Sequence, residues 1–185
     1  MRIINLTVPF NHTIIYDYYS PRDESLIWKE LNELSPVLAD KRATGDPRSN
    51  GMLGLSLDWY YKDDRTKSHT LQANRLIYSI TDELKENPFM KYLDMANEDL
   101  TQVNYYPDGS SYAHHADHAT ISAVTTFWKV PKEFTGGELM FPEYQYTPHM
   151  DNNTIILFPS FEQHEVSTVI GKGRFSINQF YFINR

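Results

Sequence analysis

The pattern of apolar and polar positions changes character partway along the chain. After Ser20-Pro21-Arg22-Asp23, the apolar residues Ile27, Leu31 and Leu34 recur every three or four positions, the period of one face of an α-helix. Ser20 suits the N-cap, Pro21 the first helical position and Asp23 the reciprocal partner three residues on. A second helix is expected over Arg75 to Lys85, where Ile77, Ile80 and Leu84 keep helical spacing until Asn87-Pro88 stops it. From residue 101 the segments shorten to strand length: Thr101 to Tyr106, Thr120 to Trp128, Glu138 to Phe141, Thr154 to Phe158 and Arg174 to Ile183. Turn-forming runs separate them at Pro107-Asp108-Gly109, Thr135-Gly136-Gly137, Asp151-Asn152-Asn153 and Gly171-Lys172-Gly173. Short strands at this spacing predict a mostly β, α+β molecule: an antiparallel barrel or jelly roll with helices packed on one outer face. The length of 185 residues suits a single domain over residues 1–185, with a helical front part over about 1–99 and a strand-rich core over about 100–185.

Between the two helices, Lys41 to Lys67 is rich in Gly, Asp, Arg and Ser and carries the aromatic island Trp59-Tyr60-Tyr61. It reads as a long excursion, either a lid over a site or a plain surface loop.

Composition narrows the chemistry. A formal charge of −7 and the lack of any lysine or arginine cluster argue against a nucleic-acid partner. The chain has no cysteine, which removes disulfides, thiolate nucleophiles and zinc-cysteine sites, so any metal must be held by histidine and carboxylate. Met1-Arg2-Ile3-Ile4-Asn5 lacks the apolar core of a signal peptide, and no apolar run of about 18 residues occurs. A soluble, cytoplasmic protein with no membrane partner is expected.

One constellation stands out. His115 and Asp117 are two apart, so an extended segment projects both to one face. His164 follows 47 residues after Asp117, and Arg174-Phe175-Ser176 begins ten residues later. Two imidazoles and one carboxylate form a facial set for iron(II), leaving positions open for co-substrate and dioxygen. An isolated His-x-Asp is usually a surface turn; the distal histidine and the cation behind it carry the reading. His114 should point away from this face, and His118 is a residue for the surrounding shell rather than a ligand. His12, His69 and His149 show no partner pattern and read as ordinary surface or turn residues. Because histidine must be neutral to bind metal, affinity is expected to weaken below about pH 6.5.

The residues Tyr106-Pro107-Asp108-Gly109, Tyr112, His115, Asp117, Gly136-Gly137-Glu138-Leu139-Met140-Phe141, Phe158-Pro159, His164-Glu165-Val166 and Gly173-Arg174-Phe175-Ser176 stand in an order that resembles the 2-oxoglutarate and iron(II)-dependent dioxygenases, specifically their prolyl 4-hydroxylase-like branch. The resemblance covers roughly residues 100 to 185. It implies a double-stranded β-helix (jelly roll, cupin-like) with Fe(2+) held by His115, Asp117 and His164 as the catalytic centre. It further implies 2-oxoglutarate and O2 as co-substrates, with ascorbate as an accessory. Arg174 would pair with the far carboxylate of 2-oxoglutarate, Ser176 would add a hydrogen bond, and Tyr106 would reach the same pocket; Tyr112 reads as packing. Relatives often carry Tyr-Leu-Asn before the double glycine, where this chain has Phe127-Trp128-Lys129. The reaction implied couples decarboxylation of 2-oxoglutarate to succinate with hydroxylation of a C–H bond. A proline-containing peptide is the favoured substrate, with a free amino acid or other small molecule as the alternative. A non-catalytic jelly-roll binding module would have lost this residue set.

Overall fold

Ser20 starts the first helix as its sequence suggests: its Oγ donates to Asp23 Oδ2 at 2.6 Å and accepts from the Asp23 backbone N–H at 3.2 Å. The resulting helix α1 (Pro21–Ala39) buries Ile27, Leu31, Leu34 and Leu38. The structure is a computed structural model and describes residues 1–39 and 48–184. Its strands are β1 (Arg2–Leu6), β2 (His12–Tyr16), β3 (Ser49–Asn50), β4 (Leu53–Ser56), β5 (Glu98–Tyr106), β6 (Ser111–His115), β7 (Ile121–Phe127), β8 (Phe134–Thr135), β9 (Leu139–Met140), β10 (Thr154–Pro159), β11 (His164–Val166), β12 (Ile170–Gly171) and β13 (Arg174–Phe182).

Two antiparallel sheets make the framework. The larger has the order β1-β2-β10-β7-β13-β5-β4, the smaller β3-β6-β11-β9, and β12 pairs with β8 apart from both. Alternation along β13 and β7 sorts residues between two interiors. Ile177, Tyr181, Ala123 and Phe127 belong to the core under α1, while Val124, Tyr106 and Ile156 belong to the core that also takes Leu139, Phe141 and Val166 from the small-sheet side. Every residue of β7 is buried, because helices cover one face of the large sheet and the small sheet the other. Trp28 of α1 stacks on Phe127 with ring centroids 4.6 Å apart. The arrangement is the expected jelly roll with helices on one outer face.

The front part of the chain departs from its helical reading. β1, β2, β3 and β4 all precede residue 99, and β2 pairs with both β1 and β10 inside the large sheet. In β2, Ile14 and Ile15 are buried on opposite faces, so the segment shows neither a clean alternation nor a helical stripe. The second helix is shorter than expected: α2 (Leu57–Tyr60) and α3 (His69–Ala73) come first, then α4 (Leu76–Ser79) and α5 (Thr81–Leu84), interrupted at Ile80 with φ −120° and ψ 17°. Ser79 Oγ donates to Leu76 O at 2.7 Å beside the break, the kind of local bond that competes with helix continuation. Ile77, Ile80 and Leu84 still reach the core. Asn87 begins a 3₁₀ segment (Pro88–Met95) as well as ending the helix, accepting from the Phe89 backbone N–H at 3.1 Å.

The excursion read over Lys41 to Lys67 is also corrected in part. Its residues 41–47 lie outside the described residues, and residues 48–67 hold β3, β4, α2 and a 3₁₀ turn. Trp59 is 75% exposed on the outer helical turn, and Tyr61 packs toward the core under α1. Neither lines the site described below.

Candidate active site

The site is assembled where the small sheet faces the large one. β6 ends at His115, which lies in register with His164 of β11, bringing the two imidazole rings to 4.3 Å between centroids. Asp117 follows just beyond β6, its backbone N–H donating to Ser160 O at 2.9 Å. Its carboxylate oxygens stand 3.7 Å from His115 Nε2 and 3.6 Å from His164 Nε2. The three ligand atoms all fall within 4.8 Å of one another and could hold a metal ion.

Both imidazoles are fixed the same way. His115 Nδ1 lies 2.8 Å from Ala113 O, and His164 Nδ1 lies 2.9 Å from Glu162 O. A carbonyl only accepts, so each Nδ1 carries the proton and each Nε2 presents its lone pair to the cluster. Asp117 Oδ2 accepts from Ser122 Oγ at 2.5 Å, and Ser122 is in turn 2.8 Å from Ser160 Oγ. Burial, helped by the neighbouring His164, lowers the His115 pKa to about 4. The ring is therefore neutral well below pH 6.5, and proton competition at this one ring moves down accordingly.

Arg174 sits deeper, at the start of β13, with 1% of its surface exposed. Its Nε donates to Gly137 O at 2.7 Å, and its guanidinium lies over the Tyr106 ring at 4.1 Å from the centroid. Both terminal nitrogens are buried with no hydrogen-bond partner, and so is Ser176 Oγ on the same strand face. A buried cation with a free fork beside an unpaired hydroxyl has the complement of a carboxylate, and stays costly until one arrives. The residues therefore fit the dicarboxylate that the resemblance implies. Gly137 makes this placement feasible: with φ +73°, a Cβ there would collide with Arg174 Cδ. The double glycine thus has a steric reason.

A cavity of about 640 Å³ opens beside the His-Asp-His cluster. His115, Asp117, His164, Tyr106 and Ser176 all line it, together with Arg48, Gln102, Asn104 and Asn178. Arg174 lies behind this wall, and on its far side it borders a smaller cavity of about 350 Å³ against Gly136 and Gly137. Tyr106 is fully buried and its pKa is raised by that burial, so it stands in the wall as a neutral phenol. Tyr112 packs on His115 with ring centroids 4.1 Å apart and also lines the cavity. His114 is exposed, and His118 lies at the cavity rim. His69 pairs with Asp23, and His149 with Asp151.

His12 is the correction among the histidines. It is fully buried, with Nδ1 2.9 Å from Phe10 O and Nε2 3.0 Å from Tyr146 Oη, and is a core residue rather than a surface one. The sequence reading also passed over Ser122, Asn104, Gln102 and Asn178. Asn178 had a usable signal, four positions after Arg174 on one strand face, and Asn104 and Gln102 had the same one, two and four positions before Tyr106.

Comparison with known proteins bears on the same segment. Residues 101–182 match the model of the 2OG-Fe(II) oxygenase superfamily. No curated protein matches the chain. Among solved structures, a Pseudomonas putida prolyl-4-hydroxylase superposes with a TM-score of 0.68 at 16% identity, covering 94% of this chain and 92% of that one. A Trichoplax adhaerens prolyl hydroxylase, solved with a peptide fragment of the hypoxia inducible factor oxygen degradation domain, gives 0.63 at 20% identity, covering 92% and 83%. The viral collagen prolyl hydroxylase of Paramecium Bursaria Chlorella virus-1, in its 2OG complex, gives 0.56 at 14% identity, covering 92% and 94%. At these identities the likeness is one of fold. The superfamily implies Fe(2+), 2-oxoglutarate and O2, and the buried His-Asp-His cluster fits iron. Among the described residues, no helix is long and apolar enough to cross a membrane. The family match spans the stretch that carries the imidazoles, the carboxylate and the buried arginine alike, and over residues 101–182 the chain is similar to the 2OG-Fe(II) oxygenase superfamily.

Proposed function

We propose that this protein is a single-domain, 2-oxoglutarate- and iron(II)-dependent hydroxylase acting on a peptide, with a proline-containing peptide favoured. The observation that carries the reading is Arg174: a buried guanidinium with both terminal nitrogens unpaired, set behind a His-Asp-His cluster whose Nε2 lone pairs converge. His115, Asp117 and His164 would hold the iron. Arg174 and Ser176 would receive the far carboxylate of 2-oxoglutarate, and Tyr106 would shape the passage between. When bound, iron(II) with 2-oxoglutarate and dioxygen supplies the oxidising chemistry, yielding succinate, carbon dioxide and a hydroxylated substrate.

The chain's own part is placement. Ala113 O and Glu162 O fix the tautomer and plane of each imidazole, and Ser122 holds Asp117 in position. The apolar walls contributed by Val124, Leu139 and Val166 keep water from the reacting region. The peptide preference draws support from the solved relative that carries a peptide, and from the cavity walls: among the described lining residues Asp117 is the only carboxylate, so the ammonium of a free amino acid finds no other acidic partner there.

The test is succinate formation from 2-oxoglutarate with iron(II) and ascorbate, across proline-containing peptides and free amino acids. Turnover stimulated by peptides and abolished in Asp117→Ala supports the reading. Stimulation by free amino acids alone moves the substrate to the small-molecule class, and failure to bind iron or 2-oxoglutarate removes the enzymatic reading.

A further inference from the structure

The cavity face of β13 carries a graded series. From Arg174 outward, every second residue turns to the same side: Ser176, Asn178, Phe180 and Phe182, all lining the cavity. Arg174 and Ser176 present unpaired donors, which suit a carboxylate. Asn178 presents the opposite: its Oδ1 is buried and accepts no hydrogen bond. A carboxylate oxygen cannot satisfy an acceptor, so a dicarboxylate leaves this atom unpaired. Its partner must bring an N–H or O–H.

A second carboxamide lies directly opposite. Asn178 is in register with Gln102 of β5 on one side and with Val124 of β7 on the other. Gln102 also lines the cavity, and its Nε2 donates to Asn104 Oδ1 at 2.6 Å, which holds its amide plane. Two neutral side chains with acceptors and donors in a plane match an amide group, which offers one of each. They match a charged group poorly. This pair stands two register positions further from Arg174 than Ser176 and Asn104, and beyond it on this face of β13 come only the rings of Phe180 and Phe182.

We propose that Asn178, with Gln102 facing it, grips an amide group of the primary substrate, so that the substrate enters as a peptide segment whose backbone N–H meets Asn178 Oδ1 and whose apolar side chain rests on Phe180 and Phe182. The inference rests on the hydroxylase reading above and names the substrate-positioning residues within it. It sets Asn178 apart from the co-substrate residues: Arg174 answers to 2-oxoglutarate, Asn178 to the peptide.

The experiment is an anaerobic titration of the protein loaded with manganese(II) and 2-oxoglutarate. The probes are N-acetylated, C-amidated pentapeptides with proline or another aliphatic residue at the centre, and the corresponding free amino acids. Wild type is compared with Asn178→Leu and Gln102→Leu, and 2-oxoglutarate is titrated separately into each manganese-loaded variant. The expected result is that wild type binds blocked peptides at least tenfold more tightly than free amino acids. Asn178→Leu should weaken the best peptide at least tenfold, Gln102→Leu by a smaller factor, and 2-oxoglutarate affinity should move less than threefold in both. Peptide affinity in Asn178→Leu within twofold of wild type overturns the assignment while leaving the peptide reading standing. An equal loss of peptide and 2-oxoglutarate affinity also overturns it, by placing Asn178 with the co-substrate. If 2-oxoglutarate binds but no blocked peptide does, the peptide reading itself falls and takes the assignment with it. Failure of wild type to bind manganese or 2-oxoglutarate overturns the hydroxylase reading and the assignment together.

Discussion

Arg174 is the residue on which the proposed chemistry turns most directly. Charge-assisted hydrogen bonds contribute on the order of 1.5–3 kcal/mol each, so replacing its fork should be costly for a carboxylate and indifferent to the metal. Arg174→Leu is expected to weaken 2-oxoglutarate binding about a hundredfold, near 2.7 kcal/mol by the affinity relation, while manganese affinity stays within about threefold; calorimetric titration of each ligand reads both. Gly137→Ala should reach a similar end by a different route, because its Cβ occupies the space of Arg174 Cδ at a positive φ. The pH response follows from His115, whose pKa burial lowers to about 4 from an ordinary 6.5. The folded form binds fewer protons than the unfolded chain between these values, so its stability is fully present above about 6.5 and is lost as pH falls toward 4. Metal binding needs the neutral ring, so proton competition at His115 itself should set in only as pH falls toward 4; an NMR titration should find its ring signals flat from pH 7 to about 5, and a His115 midpoint near 6.5 would contradict the buried, neutral state. Residue identity singled out the candidate cluster because donor type, and for His115 and Asp117 the two-residue alternation, are local properties. The same reasoning misjudged His12, whose burial and whose contact with Tyr146 Oη come only through the packing of β2.

Helix α1 shows how far an element can be read in isolation. Its cap, its start and its apolar stripe were all visible, since each depends on neighbours three or four residues away. Ser20→Ala should cost about 1 kcal/mol of stability, the usual worth of an N-cap, and Leu31→Ala about 2–5 kcal/mol, because Leu31 is 2% exposed in the core against the large sheet. Urea denaturation measures both, and neither variant should alter the KM for 2-oxoglutarate. Strand β2 was invisible for the converse reason. It is covered on both faces, so its apolar run carries no period to distinguish it, and its partner β10 is more than a hundred residues away. The short strands β6 and β11 are held by pairing on both sides, with β3 and β9 as well as with each other.

At the scale of the molecule, the site is a joint between two sheets. His115 and His164 come from the small sheet, Arg174 and Ser176 from the large one, and a ligand touching both should tie folding to binding. A ligand at about a hundred times its Kd adds about 2.7 kcal/mol to the folded state. For a domain of this size each kcal/mol moves the melting temperature by roughly 2–4 °C. Manganese and 2-oxoglutarate together, each near a hundredfold excess over Kd, should therefore raise Tm by about 10–20 °C. In Arg174→Leu the metal should retain its share, while 2-oxoglutarate added at the same concentration contributes little. Differential scanning fluorimetry separates the two shares.

The sequence by itself carried the candidate pair His115 and Asp117, the strand-rich core and the first helix, because each is encoded in residue type and in spacings within one turn or one strand; His164 and Arg174 joined the candidate set through residue type and motif order. Only the tertiary structure decided that the front of the chain completes the large sheet, that Gly137 makes room for Arg174, that the guanidinium is left with two unpaired nitrogens, and that Asn178 faces Gln102 across a cavity wall. These depend on which distant segments pair and how closely they approach, and strand pairing across a hundred residues leaves no periodic trace in either partner alone.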